Sequence, residues 1–394
     1  MDSDPRRRKH GVEPVGRRAE IDGIRGVAAL SVFGFHVWLY TLPVVSASRR
    51  TTVSDYALHE LRLGLVLFFV LSAYLLYAPW AAGERGPRTR TFLRARAARI
   101  LPGYWLALAG SVALLWGLSG TPGVRLPPAE SLGLFAILGQ NTTGATVMKL
   151  DPPMWTLAVE ATFYLCLPAL GALAGRLRGG PIVVPLALAA AGVTWNHVTH
   201  ANGLGMTWTK TFPAMAPYFA CGMLAVVAAR RLPAQQAARR VVVLAMAAGL
   251  ALVLADALGQ SAQAAHAPRL IPVVLRDLPA AAGFALILWA LPATGALRRL
   301  LATRPIAAIG TVSFGLYLWH VPVLLWLRGN SLLPLSPVGA TLVALPVSLL
   351  LATVSWHLVE RPAIRLARRT GPKGILVPAR SWARALTSSG TSPH

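Results

Sequence analysis

Ten stretches of the chain, each close to 20 residues long and dominated by Leu, Ala, Val, Phe and Gly, limit its fold more than any other feature. They run from about 24 to 44, 61 to 80, 100 to 118, 154 to 174, 181 to 198, 211 to 229, 240 to 258, 278 to 296, 306 to 327 and 336 to 358. A hydrocarbon core about 30 Å thick is crossed by a helix of roughly 20 apolar residues. In lipid a helix is favoured because it pairs every backbone N–H and C=O within itself. The expected fold class is therefore all-α, a polytopic transmembrane bundle of about ten helices. Composition agrees: 55% of residues are hydrophobic and 13% charged, against about 45 to 50% and 25% in soluble domains.

The net charge of +24 comes from 38 Lys and Arg against 14 Asp and Glu. When the ten segments alternate direction, 29 of the 38 basic residues fall on the side that holds both termini. Because Lys and Arg concentrate in cytoplasmic loops, the topology predicted is N-in and C-in. The organisation expected is a basic cytoplasmic tail at 1–19, a membrane domain at 20–366 and a loosely ordered cytoplasmic tail at 367–394. Basic residues spread over six short segments do not make the continuous aromatic-lined groove of a nucleic-acid binder, so no nucleic-acid partner is expected. The first segment is followed by Val45, Ser46 and Ala47, loosely a signal-cleavage site, but it is too long for a signal core and carries His36. It is read as a retained helix. Cys166 and Cys221 both lie in apolar runs and offer neither a disulfide scaffold nor a cysteine metal cluster. No metal site is expected.

Ionisable residues at membrane depth are costly and mark functional interiors. Arg25 and His36 lie eleven residues apart on the first segment, within about 20° of one another and roughly 16 Å apart along the axis. Counting residues from the boundaries puts Glu160, on the fourth segment, at the depth of His36. A carboxylate and an imidazole at one depth suit a general base and its partner; the same pair also suits a structural clamp between helices. Thr156 shares a helical face with Glu160. His320, on the ninth segment, is a second candidate for the same cavity, or a member of an interfacial aromatic belt.

Ahead of Pro102 stand Arg94, Arg96 and Arg99. Arg96 and Arg99, three apart, share a face if the third helix starts early, and two guanidinium forks there could grip phosphate oxygens. Basic residues are also simply expected in such a loop. The long stretch 119–153 could hold a short re-entrant piece around Leu132 to Leu138. No Walker loop, dinucleotide fingerprint, zinc spacing or serine-hydrolase elbow occurs.

Taken in order, these segments resemble the integral-membrane acyltransferase family 3, bacterial O-acyltransferases of surface polysaccharides, nodulation factors and macrolide antibiotics. The resemblance covers about Glu20 to Arg365. Arg25, ten residues, then His36 matches the family's opening signature, and Gly64 through Tyr74 is similar to its second-helix motif. Arg96, Arg99 and Pro102 resemble its Arg-x-x-Arg element. Trp155 through Tyr164 looks like its Ser-x-x-x-Glu element, with Thr156 in place of Ser, and Ala73 stands where Gly is common. Tyr317 to His320 and Glu360 to Pro362 resemble the closing motifs.

The resemblance implies a multi-pass protein of the bacterial plasma membrane that moves an acyl group from cytoplasmic acyl-CoA, acetyl-CoA foremost, to a hydroxyl of a sugar, glycan or glycosylated metabolite. It implies His36 and Glu160 as catalytic residues, Arg25, Arg96 and Arg99 on the coenzyme, and Trp155, Thr156 and His320 toward the acceptor. The lipid bilayer is the other partner expected. A competing reading is a transporter with Arg25, His36 and Glu160 as a proton or substrate relay; the chain lacks the paired interrupted helices that inverted-repeat carriers often show.

Overall fold

The computed structural model describes residues 19–43, 45, 52–82, 86–264 and 273–369. The tail before Ala19, the tail after Arg369 and the 29-to-9 charge count, in part, lie outside the described residues. Within them the chain is helical, with no strand.

Among the described residues, nine helices are long and apolar enough to cross a membrane: α1 (Ala19–Thr41), α2 (Val53–Leu76), α3 (Thr89–Leu118), α4 (Pro152–Arg176), α5 (Gly180–Ala201), α6 (Met206–Arg231), α7 (Arg239–Gln260), α9 (Arg304–Gly329) and α10 (Pro337–Arg369). The eighth segment differs from a single rod. Its α8 runs Leu278–Ala293 and turns by 101° into Gly295–Leu301, because Pro292 cannot continue the helical ladder and Thr294 is extended.

Helices α1 and α9 form the central pair, running parallel. Their approach depends on glycine. A Cβ added at Gly310 would stand 1.7 Å from the Asp22 carbonyl oxygen, and one at Gly23 would stand 2.1 Å from that of Leu301. Close backbone approach through small residues is how helices associate where lipid removes the hydrophobic drive. At the other end Arg328 donates to the carbonyls of Tyr40 and Leu42, which fixes the register of the pair along its whole length. The end carrying Ala19, Arg94, Arg304 and Arg369 is called the basic end below.

The long connection between α3 and α4 folds into the opposite end of the bundle. Its short helix Leu132–Ala136 buries Phe135 completely, and Tyr104 on α3 donates to the Phe135 carbonyl at 2.7 Å. Further along, Gln140 Nε2 donates to Met154 O at 2.7 Å, and Asn141 Nδ2 donates to Trp155 O and Lys210 O, both at 2.8 Å. Asp151 closes this plug. Its carboxylate is buried with neither oxygen hydrogen-bonded, and burial pushes its pKa well above the ordinary carboxylate range.

Candidate active site

Two polar clusters and one cavity lie along the α1–α9 axis. The first cluster is a pair of histidines. His36 Nδ1 is 3.0 Å from Val32 O, and His320 Nδ1 is 3.1 Å from Leu316 O. Carbonyls only accept, so each ring bears its proton on Nδ1 and donates to its own helix. His320 Nε2, 3.1 Å from His36 Nδ1, is then a second acceptor for the same His36 proton. This pattern leaves His36 Nε2 with its lone pair and no hydrogen-bond partner among the described residues. The rings meet edge to face with centroids 4.9 Å apart. His320 is buried behind, and His36 faces the cavity.

That cavity, about 360 Å³, opens between α1, α2, α4, α6 and the plug. Together with His36 its wall includes Tyr317, Trp155, Arg62, Lys210 and Asp277. Thr156 is buried and braces this wall from behind, its Oγ1 lying 2.7 Å from the Tyr317 hydroxyl and donating to Pro153 O at 3.0 Å. Of the residues expected at the acceptor, Trp155 lines the cavity while Thr156 and His320 support it.

The second cluster lies toward the basic end. Glu160 accepts a hydrogen bond from Ser72 Oγ at 2.6 Å and another from the Tyr164 hydroxyl. Arg25 lies within electrostatic range of Arg99 and Glu160, and Arg96 within range of Tyr164, Arg99 and Glu160. Because α3 starts as early as Thr89, Arg96 and Arg99 are both helical. None of these three arginines has a carboxylate within 4 Å among the described residues. The Nε atoms of Arg25 and Arg96 are buried and unbonded. Glu360 enters the same region from a π-helical turn in α10, Trp356–Glu360, and accepts from Ser355 Oγ at 2.9 Å. It packs where Gly103 leaves room.

The depth match between His36 and Glu160 therefore gives way. Thr156 is level with Tyr317, one turn nearer the basic end than His320, and Glu160 is a further turn along α4. The plug explains the discrepancy. Pro153 O, in the first turn of α4, already accepts from Tyr317 inside the bundle, so α4 begins below the level from which a residue count would start. Glu160 joins the arginines, and His320 takes the place beside His36.

A profile for an acyltransferase domain, that of acyltransferase family 3, matches residues 18–357. The chain belongs to this family. It is similar to nodulation protein 10 of Rhizobium leguminosarum bv. viciae, 26% identical over 373 residues that cover 89% of this chain and 94% of that protein. No solved structure matches.

As a family 3 acyltransferase, the chain is a multi-pass membrane enzyme. Its polar constellation includes groups that no motif or spacing singles out. Ser72 lies within Gly64–Tyr74 and Tyr164 ends Trp155–Tyr164, and the legible signal for Ser72 is a lone hydroxyl in an apolar run. Arg62 donates to both oxygens of Asp277, at 2.7 and 2.8 Å. The two residues are 215 positions apart, so that ion pair has no local signature.

Proposed function

We propose that this acyltransferase moves an acyl group from acyl-CoA to a hydroxyl of a sugar, glycan or glycosylated metabolite, with His36 as general base. The observation that carries this reading is the His36 imidazole, held in one tautomer by Val32 and His320 with its Nε2 lone pair free, between an arginine cluster and a cavity. In the step proposed, His36 Nε2 takes the acceptor's proton as the acceptor oxygen attacks the thioester carbonyl. The carbon–sulfur bond breaks, and the imidazolium returns the proton to the departing thiolate. Acceptor O–H and acyl-S-CoA thus become O-acyl acceptor and free thiol. His320 Nε2, accepting from His36 Nδ1–H, supports the imidazolium in the role a carboxylate often plays.

Arg25, Arg96 and Arg99 bind the coenzyme phosphates in this reading, since unpaired guanidinium groups offer forks that match phosphate oxygens. Glu160 acts on the donor side, holding Ser72 and Tyr164 and balancing the arginine charge. Arg25 and His36, about 16 Å apart along one helix, set a span that the slender pantetheine arm crosses. The basic end faces the cytoplasm of a bacterial cell by the positive-inside rule, so donor and acceptor approach His36 from opposite ends.

Mass spectrometry of surface glycans and secreted metabolites from cells with and without this gene tests the reading. An acyl mass increment that depends on the gene and is lost in His36→Ala supports it; identical profiles overturn it.

A further inference from the structure

The cavity beside His36 carries more positive charge than its own carboxylates neutralise. Three cations face it: Arg62, Lys210 and Arg276. Both Nη atoms of Arg62 are engaged, Nη1 on Asp277 and Nη2 on Glu60 at 2.8 Å, and its Nε is buried without a hydrogen-bond partner among the described residues. Arg276 is half-exposed, with Nε 3.8 Å from the same Asp277 carboxylate. Lys210 has no carboxylate within 4 Å among the described residues. Its Nζ lies 4.4 Å from the centre of the Trp155 ring, and its backbone is pinned by Asn141 of the plug. A cation over an aromatic face is attracted by the ring quadrupole but keeps its charge available to a third group. An apolar-walled cleft of one sign concentrates ligands of the other. At about 360 Å³ the cavity is at the small end of the roughly 300 to 1,000 Å³ seen for small-molecule sites.

We infer that the acceptor carries an anionic group, a carboxylate or a phosphate, which Lys210 binds while the hydroxyl to be acylated rests against His36. This rests on the transferase reading for the hydroxyl but not for the anion site. Lys210, flanked by Arg276, meets the anion as a point charge. The Arg62–Asp277–Glu60 network stiffens the wall behind it and is not itself available.

The test uses the purified full chain in detergent, at ionic strength held constant with KCl. Its melting temperature is followed against glucuronate, glucose 6-phosphate and glucose. One or both anionic sugars should raise the melting temperature while glucose does not. Stabilisation by glucuronate alone assigns a carboxylate, and by glucose 6-phosphate alone a phosphate. Lys210→Met should weaken the apparent affinity for the anion about ten- to a hundredfold, the range for losing a hydrogen bond to a charged group; Lys210→Arg should retain it. An unchanged response to acetyl-CoA checks that the Met variant is folded. Should that variant fail to fold, the salt dependence of glucuronate binding by the parent protein decides, and affinity unaffected by KCl overturns the inference. Equal stabilisation by glucose, no response to either anion, or an undiminished anion response in Lys210→Met also overturns it. A protein that binds the anionic sugar through Lys210 but transfers no acyl group from acetyl-CoA keeps the anion site and loses the transferase reading.

Discussion

His320 Nε2 stands 3.1 Å from His36 Nδ1, each ring being anchored through Nδ1 to the carbonyl one turn back on its own helix. Two neutral imidazoles in this order have a direction. The proton on His36 points at His320, and the basic nitrogen of His36 points away from it. His36→Ala should insert normally and lose transfer by about 10² to 10⁴, the usual contribution of a general base. His320→Leu should cost less, and His320→Gln, which restores an acceptor, should recover part of that loss. Initial rates with radiolabelled acetyl-CoA in membranes check the three variants, and a His36→Ala enzyme at parental rate removes His36 from the mechanism.

The arginine cluster predicts a donor-binding defect without a chemical one. Arg96→Lys and Arg99→Lys keep the charge but lose the planar fork, so the KM for acyl-CoA should rise about tenfold or more with kcat largely kept. Steady-state kinetics separates the two constants. Unchanged KM values in both variants would mark these arginines as determinants of topology alone.

Asp151 predicts a pH dependence of stability. Its folded-state pKa is raised by burial above the ordinary value of 3.8, so the folded protein holds this proton more tightly than the unfolded chain. Its contribution to stability is greatest below about pH 3.8 and falls as pH climbs toward the raised folded value, by up to about 1.4 kcal/mol per pH unit. Asp151→Asn removes that slope. The variant should melt above the parent at neutral pH, and the gap should narrow on acidification. A gap that stays constant between pH 5 and 7.5 would show that the carboxyl is already ionised in the fold.

Gly310 predicts a packing defect with a built-in control. A methyl group there meets the Asp22 carbonyl, whereas one at Gly117 meets nothing within 4 Å. Gly310→Ala should lower stability by about 1 to 3 kcal/mol, the usual cost of overpacking, and Gly117→Ala should leave the melting temperature near that of the parent. Equal melting temperatures for the two variants would mean that α1 and α9 adjust without cost.

The helical architecture was legible because lipid-spanning helices announce themselves in apolar length, a local property. The bend in α8 is hidden in the sequence despite Pro292 and Thr294, because the flanking apolar run is continuous across them. Arg25, Arg96 and Arg99 were readable as a group, since each lies near the same end of its helix. Glu160 was misplaced by the plug: a residue count assumes that a helix begins at the membrane surface, and α4 begins inside the protein. The Arg62–Asp277 pair and the exposure of Lys210 to the cavity depend on how distant helices pack, which no spacing in the chain encodes.

The parallel, glycine-locked α1–α9 pair also acts as a gauge. Arg25 and His36 belong to one uninterrupted helix, and His320 is tied to the same frame, so the interval from arginine cluster to base is fixed by helical rise. Under the donor geometry proposed above, the carrier arm is what is measured, and the acyl chain extends past the gauge without altering it. A thioester on a clipped arm, lacking the phosphate-bearing end, would reach the imidazole with nothing to set its depth. Inserting one residue between Arg25 and His36 would move the base by about 1.5 Å and turn it by 100°, which breaks the measurement without removing any side chain.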